Sequence, residues 1–255
     1  ADPRSFLLVK EQTGLPVDYV RHNRNSLHEC GAPYDFYNMN DLPMLDITRY
    51  KMFVFLNTFI IPSEIKAFIN DKLKGRMKVW LHAPNIAEDG RLDVQNIENM
   101  VGVKLKQLQT DCEETICYQG VRFGFGKAVT PMYEAVDEQA EILGTYAGNG
   151  KTAIAQRGDN VYIAAGNVPY QLWQGLARRA GVHIYCENGG ALYTDSRFVA
   201  RQTVHETTCE IHMPFDAEME EMFDGGRYRT SNGVLRYTAK AGSTKLFRII
   251  NDSSL

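Results

Sequence analysis

A handful of glycine-, cysteine- and histidine-bearing strings are the places where this sequence could do chemistry. Gly148-Asn149-Gly150-Lys151-Thr152 ends like a phosphate-binding loop, in which glycines and a lysine cradle phosphates at the start of a helix. The full pattern needs Gly, four residues, then Gly-Lys-Ser/Thr. Thr145 occupies the first place, Gly144 comes one residue too early, and no helical pattern follows. The string reads as a hairpin turn. Gly124-Phe125-Gly126 lacks a third glycine and a following helix, so it reads as a loop. His205, Cys209 and His212 are spaced like part of a metal site. On a strand, however, His205 and Cys209 share a face while His212 points the other way, with only Glu206 and Glu210 as further ligands nearby. No metal is expected. Cys186 follows an apolar run, but its neighbours Tyr185 and Glu187 are too bulky for a nucleophile elbow, so it reads as a structural thiol. The 31 acidic residues make some carboxylate pair inevitable, and none can be singled out as acid and nucleophile. No catalytic residue is assigned and no cofactor is expected.

A different pattern runs through Trp80-Leu81-His82-Ala83-Pro84-Asn85, where a buried apolar run gives way to a polar loop. Open α/β sheets bind ligands at the carboxyl ends of their strands. Asn57 ends the neighbouring apolar run and belongs on the same edge. Asn57, His82 and Asn85, with Trp80 as support, are therefore the candidate ligand-binding residues. The competing reading is that they cap loops and satisfy backbone groups.

The elements that must position these residues follow from periodicity. Ser5–Val9 and Tyr34–Tyr37 read as short strands, and Lys51–Leu56 as a strand buried on both faces. Pro16 opens a helix with Val17, Val20 and Leu27 on one face, stopped by Gly31 and Pro33. Pro62 and Ser63 open a second, with a stripe of Ile65, Phe68, Ile69 and Leu73 before Gly75. Lys78–Leu81 is the next strand, and a helix over Val94–Val101 precedes Gly102. This βαβαβ order argues for an open, mostly parallel sheet flanked by helices. Short β-type runs follow at Val103–Leu108, Glu141–Tyr146, Thr152–Gln156 and Asn160–Ile163, then a helix from Pro169 to Gly181 and a strand over His183–Tyr185. After Glu187-Asn188-Gly189-Gly190 nearly everything reads as strand, so residues 1–190 form an α/β domain and 191–255 a small antiparallel β-sandwich domain. Ser231-Asn232-Gly233, between Arg227–Arg229 and Val234–Tyr237, is a hairpin signal.

Bulk properties exclude several classes. The formal net charge is −3, and Lys and Arg are scattered rather than striped, so no nucleic-acid partner is expected. The longest apolar run, Met52–Ile61, is broken by Asn57 and Thr58 and is too short to span a membrane. Five cysteines are too few for a disulfide scaffold; Cys112 and Cys117 are close enough to staple a short loop in an oxidising compartment. The chain opens Ala1-Asp2-Pro3 rather than on Met, which implies a cut or a removed leader and leans towards secretion, with the cytoplasm as the other compartment.

Several strings in order resemble one family. Gly31-Ala32-Pro33-Tyr34-Asp35, Asn40-Asp41-Leu42, Tyr50-Lys51, Val54-Phe55-Leu56-Asn57, Val79-Trp80-Leu81-His82-Ala83-Pro84 and Gly102-Val103-Lys104-Leu105 together resemble the trimerisation domain of family 42 glycoside hydrolases, the β-galactosidases. Ala180–Tyr185, Tyr193–Val199, Met213-Pro214 and Leu246-Phe247-Arg248 resemble the end of that domain and the C-terminal β domain after it. The resemblance implies a class I glutamine-amidotransferase-like, flavodoxin-like fold. Ala83-Pro84 stands where such amidotransferases carry their cysteine, so that chemistry is not expected. In the family the paired carboxylates belong to a separate (β/α)8 barrel, for which this chain has neither length nor repeats. The expectation is a non-catalytic accessory and oligomerisation module of a glycoside hydrolase, partnered by copies of itself or by a catalytic barrel. A small-ligand or carbohydrate-binding protein on the same scaffold is the alternative, and a hydrolase with an unrecognised site the second.

Overall fold

The computed structural model describes residues 4–5, 15–109, 113–126 and 129–252. The chain divides into two compact units, residues 1–23 with 36–169, and residues 24–35 with 170–255. Helix α1 (Leu15–His28) contributes residues to both.

In the first unit the order is β1 (Met52–Phe55), α2 (Ser63–Lys72), β2 (Met77–Leu81), the short pair β3 (Ala87–Glu88) and β4 (Arg91–Leu92), and α3 (Val94–Val101). Seven strands follow: β5 (Leu105–Leu108), β6 (Thr115–Tyr118), β7 (Val121–Gly124), β8 (Met132–Ala135), β9 (Glu141–Tyr146), β10 (Thr152–Arg157) and β11 (Asn160–Ile163). Seven of these strands form one sheet in the order β1-β2-β11-β10-β9-β6-β7, while β5 and β8 pair separately. β2 lies parallel to both β1 and β11, and the pairings from β11 outward to β7 are antiparallel. The sheet is therefore mixed, which corrects the expected mostly parallel one, and it carries few helices. The reason is connection length. Helix α2 carries the chain from β1 back to a parallel β2, whereas tight turns at Asn149-Gly150 and Gly158-Asp159 join β9 to β10 and β10 to β11 and permit only antiparallel pairing.

Local signals explain the helices that do form. Asp93 caps α3 by accepting from the Gln95 amide at 2.9 Å, and Gly102 ends it in the left-handed region at φ 73°. All five β2 residues are buried, as a strand paired in parallel on both sides requires. β1 is only half-buried over Met52–Val54, because it is the edge of the sheet rather than an interior strand. Residues 6–9 of the expected first strand lie outside the described residues. Tyr34–Tyr37 and His183–Tyr185 form no strand; the Tyr185 amide donates singly to the Gly31 carbonyl at 2.7 Å, and no ladder develops.

The second unit contains α4 (Tyr170–Arg179) and then β12 (Leu192–Thr194), β13 (Phe198–Gln202), β14 (Thr207–His212), β15 (Ala217–Glu221), β16 (Arg227–Arg229), β17 (Val234–Ala239) and β18 (Thr244–Asp252). Two separate antiparallel sheets result, β12-β13-β18-β15-β16 and β14-β17. Val199, Met219 and Phe247 from the first share one core with Cys209, Ile211, Leu235 and Tyr237 from the second. Ser231-Asn232-Gly233 is a tight turn, with Asn232 and Gly233 both at positive φ, closed by a single antiparallel bridge between Ser231 and Val234 that the flanking strands do not extend. β16 pairs with β15 and β17 with β14, so the turn hands the chain from one sheet to the other. Buried Gln174 of α4 donates to the carbonyls of Cys30 and Cys186, each at 3.2 Å.

Two left-handed glycines make a calibrated pair. A Cβ on Gly102 would meet nothing nearer than Asn160 Nδ2 at 3.6 Å, whereas one on Gly31 would lie 1.8 Å from the Cys186 carbonyl oxygen. Gly102→Ala should cost about 1 kcal/mol, the strain of the backbone alone. Gly31→Ala adds a backbone clash and should cost roughly 3 kcal/mol or more. Denaturant unfolding of the two variants checks the order; equal losses would contradict it.

Candidate functional site

The carboxyl ends of β1 and β2 bring Asn57, His82 and Asn85 to one region of the first unit. The ladder between β2 and β11 runs one bond past the strand, from the His82 amide to the Ile163 carbonyl at 2.7 Å. The chain then turns sharply. His82 at φ 58° and Asn85 at φ 57° both occupy the left-handed region, which histidine and asparagine enter more readily than most residues. The Asn85 amide donates to the Thr58 carbonyl at 2.8 Å, tying the β2 turn to the end of β1. This turn holds Ala83-Pro84 and no thiol.

None of the three side chains is open to solvent. Asn57 is fully buried and His82 is 6% exposed. The His82 ring is surrounded by Tyr19, Tyr133 and Phe59, at centroid distances of 5.8, 5.7 and 6.4 Å. Tyr162 donates to the His82 carbonyl at 2.7 Å. Burial pulls the His82 pKa down to about 4, against a weak opposing contact of Nδ1 with the Ala164 carbonyl at 3.5 Å. A neutral imidazole held this way is no general acid at neutral pH. Asn85 Nδ2 donates to Glu88 at 2.9 Å, and Glu88 is paired with Lys66 of α2. Those two bonds hold the Glu88 carboxyl below its usual range, so the carboxylate nearest the turn is ionised and neutralised. Two buried oxygens, Thr58 Oγ1 and Asn85 Oδ1, have no hydrogen-bond partner among the described residues.

Trp80 does not join this group. Its ring stacks on Phe55 at 4.1 Å and 10°, and its indole nitrogen donates to Asn160 Oδ1 at 3.1 Å, at the opposite end of β11. An open depression of about 370 Å³ lies at that opposite end, lined by Asn70, Lys74, Lys78, Arg157 and Asp159 among others. Three of its charged side chains are committed to the fold. Lys78 Nζ donates to the carbonyls of Arg76 and Leu73 at 3.0 and 3.2 Å, Asp159 accepts from the Gly75 amide at 2.7 Å, and Arg157 pairs with Asp137 at 2.9 Å. The strand-end rule therefore located Asn57, His82 and Asn85 together, but nothing in the local sequence pointed to Tyr19 or Tyr133, which arrive from distant elements.

The other strings resolve simply. Asn149-Gly150 is the tight turn between β9 and β10, with the Gly150 amide bonded to the Tyr146 carbonyl at 2.9 Å. Gly124 ends β7, and Gly126 lies in the loop after it. His205 precedes β14; on the strand Cys209 points into the core while His212 lies near Glu210 at 3.8 Å. Among the described residues no group of three or more His, Cys, Asp or Glu could hold a metal ion. Cys117 is half-buried on β6, and Cys112, its expected disulfide partner, lies outside the described residues.

His82 predicts a pH dependence. Its folded pKa lies below the unfolded value, so the unfolded chain binds the extra proton between about pH 6.5 and 4. The stabilisation is whole above pH 6.5 and is lost as pH falls towards 4, by about 3 kcal/mol. His82→Asn, which tolerates the left-handed backbone and does not titrate, should lose correspondingly less stability over that window. Denaturant titrations at several pH values measure both slopes, and parallel profiles would contradict a buried neutral imidazole.

No family model matches the chain, and no curated protein matches it in sequence. Solved structures do. The β-galactosidase of Bacillus circulans sp. alkalophilus aligns with a TM-score of 0.61 at 13% identity, over 92% of this chain and 37% of its own. That of the psychrophilic Marinomonas ef1 aligns at 0.56 and 11%, over 89% and 33%. That of the Antarctic haloarchaeon Halorubrum lacusprofundi aligns at 0.51 and 14%, over 81% and 32%. The chain thus spans about a third of each of these enzymes, and its fold is similar to a part of them that is not an eight-stranded barrel.

Proposed function

We propose that this chain is a non-catalytic accessory and assembly module of a β-galactosidase-like glycoside hydrolase, corresponding to the trimerisation domain and the β domain after it. The observation that carries this reading is the fold similarity over 92% of the chain to 37% of a β-galactosidase. The chemistry of the strand ends agrees. Retaining and inverting glycosidases need two carboxyl groups flanking the scissile bond, one protonated and one ionised. Here the turn after β2 offers a neutral histidine, an asparagine and a single carboxylate already paired with a lysine. The module's work is then association with copies of itself and with a catalytic barrel. Light scattering at increasing concentration should show an oligomer, and the chain alone should not turn over aryl galactosides. A strict monomer at high concentration would overturn the assembly role, and measurable turnover the non-catalytic one.

A second reading, a small polar ligand held at the strand ends, is favoured by the two buried oxygens of Thr58 and Asn85 that lack partners among the described residues. Calorimetry with a panel of neutral sugars decides it: heat that disappears in Asn85→Ala supports the site, and no heat from any sugar removes it.

A further inference from the structure

The core of the second unit contains an arginine with no acid beside it. Arg201, on the inward face of β13, is 2% exposed. Among the described residues its partners are two: Nη1 contacts Cys186 Sγ, and Nη2 donates to the Gly189 carbonyl at 3.0 Å. Nε is buried with no partner at all. A guanidinium cannot shed its proton inside a protein, and an uncompensated buried cation is among the most expensive features a fold can carry. Among the described residues, the ionisable side chain hydrogen-bonded to it is the thiol of Cys186, itself 1% exposed.

We propose that Cys186 is held as a thiolate, the counter-ion of Arg201, and that this pair is an oxidation-sensitive site for hydrogen peroxide. The hydrogen-bond geometry favours the ionised sulfur. A thiol proton would find only the Gly189 carbonyl, 3.8 Å away and already accepting from Arg201 Nη2. The sulfur instead receives Nη1 of Arg201 and the backbone of Asn188. Burial pushes the thiol up and leaves it raised on balance, with Arg201 opposing. Because the guanidinium is buried in any case, ionising the sulfur removes one uncompensated charge rather than creating one. The other titratable groups around the sulfur are Cys209 of β14, Tyr237 of β17 and Glu187 in the same loop, and Glu187 is paired with Arg178. The thiolate is the nucleophilic form of cysteine. It attacks one oxygen of the peroxide, the O–O bond breaks, hydroxide leaves and takes a proton from solvent, and the sulfur is oxidised by two electrons to sulfenic acid.

The test uses the folded chain at pH 7. Thiolate absorbance near 240 nm should fall by one thiolate in Cys186→Ser and again in Arg201→Met. Brief peroxide treatment followed by peptide mass analysis should add oxygen to Cys186 about tenfold faster than to the equally buried Cys30 and Cys209, since rate follows thiolate fraction. Should Cys186→Ser fold poorly, the double variant Cys186→Ser/Arg201→Met should fold better than it, because the stranded cation is gone. Unchanged absorbance in Arg201→Met, or equal oxidation of the three cysteines, would overturn the proposal, as would additive losses in the double variant.

Discussion

Every residue of β2 is buried, and that single constraint organises the first unit. A strand with water on neither face must be paired along both edges and covered above and below, or its backbone groups go unsatisfied. β1 and β11 supply the edges in parallel, which forces a crossover on one side and long-range closure on the other. The turn that follows must leave the sheet at once, because β2 has no room to continue, and the left-handed backbone of His82 and Asn85 is how it does so. The same crowding buries the polar groups of that turn. What the topology places at a strand end, the packing then closes.

This accounts for how the candidate site divides. Strand ends are where α/β sheets present side chains, and Asn57, His82 and Asn85 do assemble there. They are buried, however, and the His82 ring lies among Tyr19, Phe59 and Tyr133 as a neutral imidazole. Trp80 obeys the alternation of the strand but uses its one donor at the far end of β11.

Local order was legible in the sequence and global order was not. The helix over Val94–Val101 was bounded to the residue, because a capping aspartate, an apolar stripe and a closing glycine are all local signals. Asn160–Ile163 was likewise legible as a strand. Its direction against β2 was not, since parallel pairing joins segments far apart and leaves no mark in either. The apolar run at Met52–Phe55 suggested an interior strand, but whether a strand is central or at an edge depends on how many neighbours arrive, not on its own composition. Ser231-Asn232-Gly233 signalled a two-residue turn, and its antiparallel pairing stops at the one bridge between Ser231 and Val234 because the flanking segments found other partners. Arg201 is the extreme case. Alternation with Val199 puts it on the inward face, but nothing in the strand names its partner, which sits on a loop before the sheet begins.

The turn at Ser231–Gly233 has one more consequence, for the order in which the second unit can be made. Because β16 and β17 part company there, neither sheet is built from consecutive strands alone. β18 sits in the middle of the five-stranded sheet, between β13 and β15, although it comes after both in the chain. During synthesis, β13 emerges with β12 as its only available neighbour, and β15 with β16. The two pairs can join only when β18 arrives to wedge between them. The five-stranded sheet is therefore completed only when its last strand arrives, and its closure depends on contacts between segments far apart in the chain.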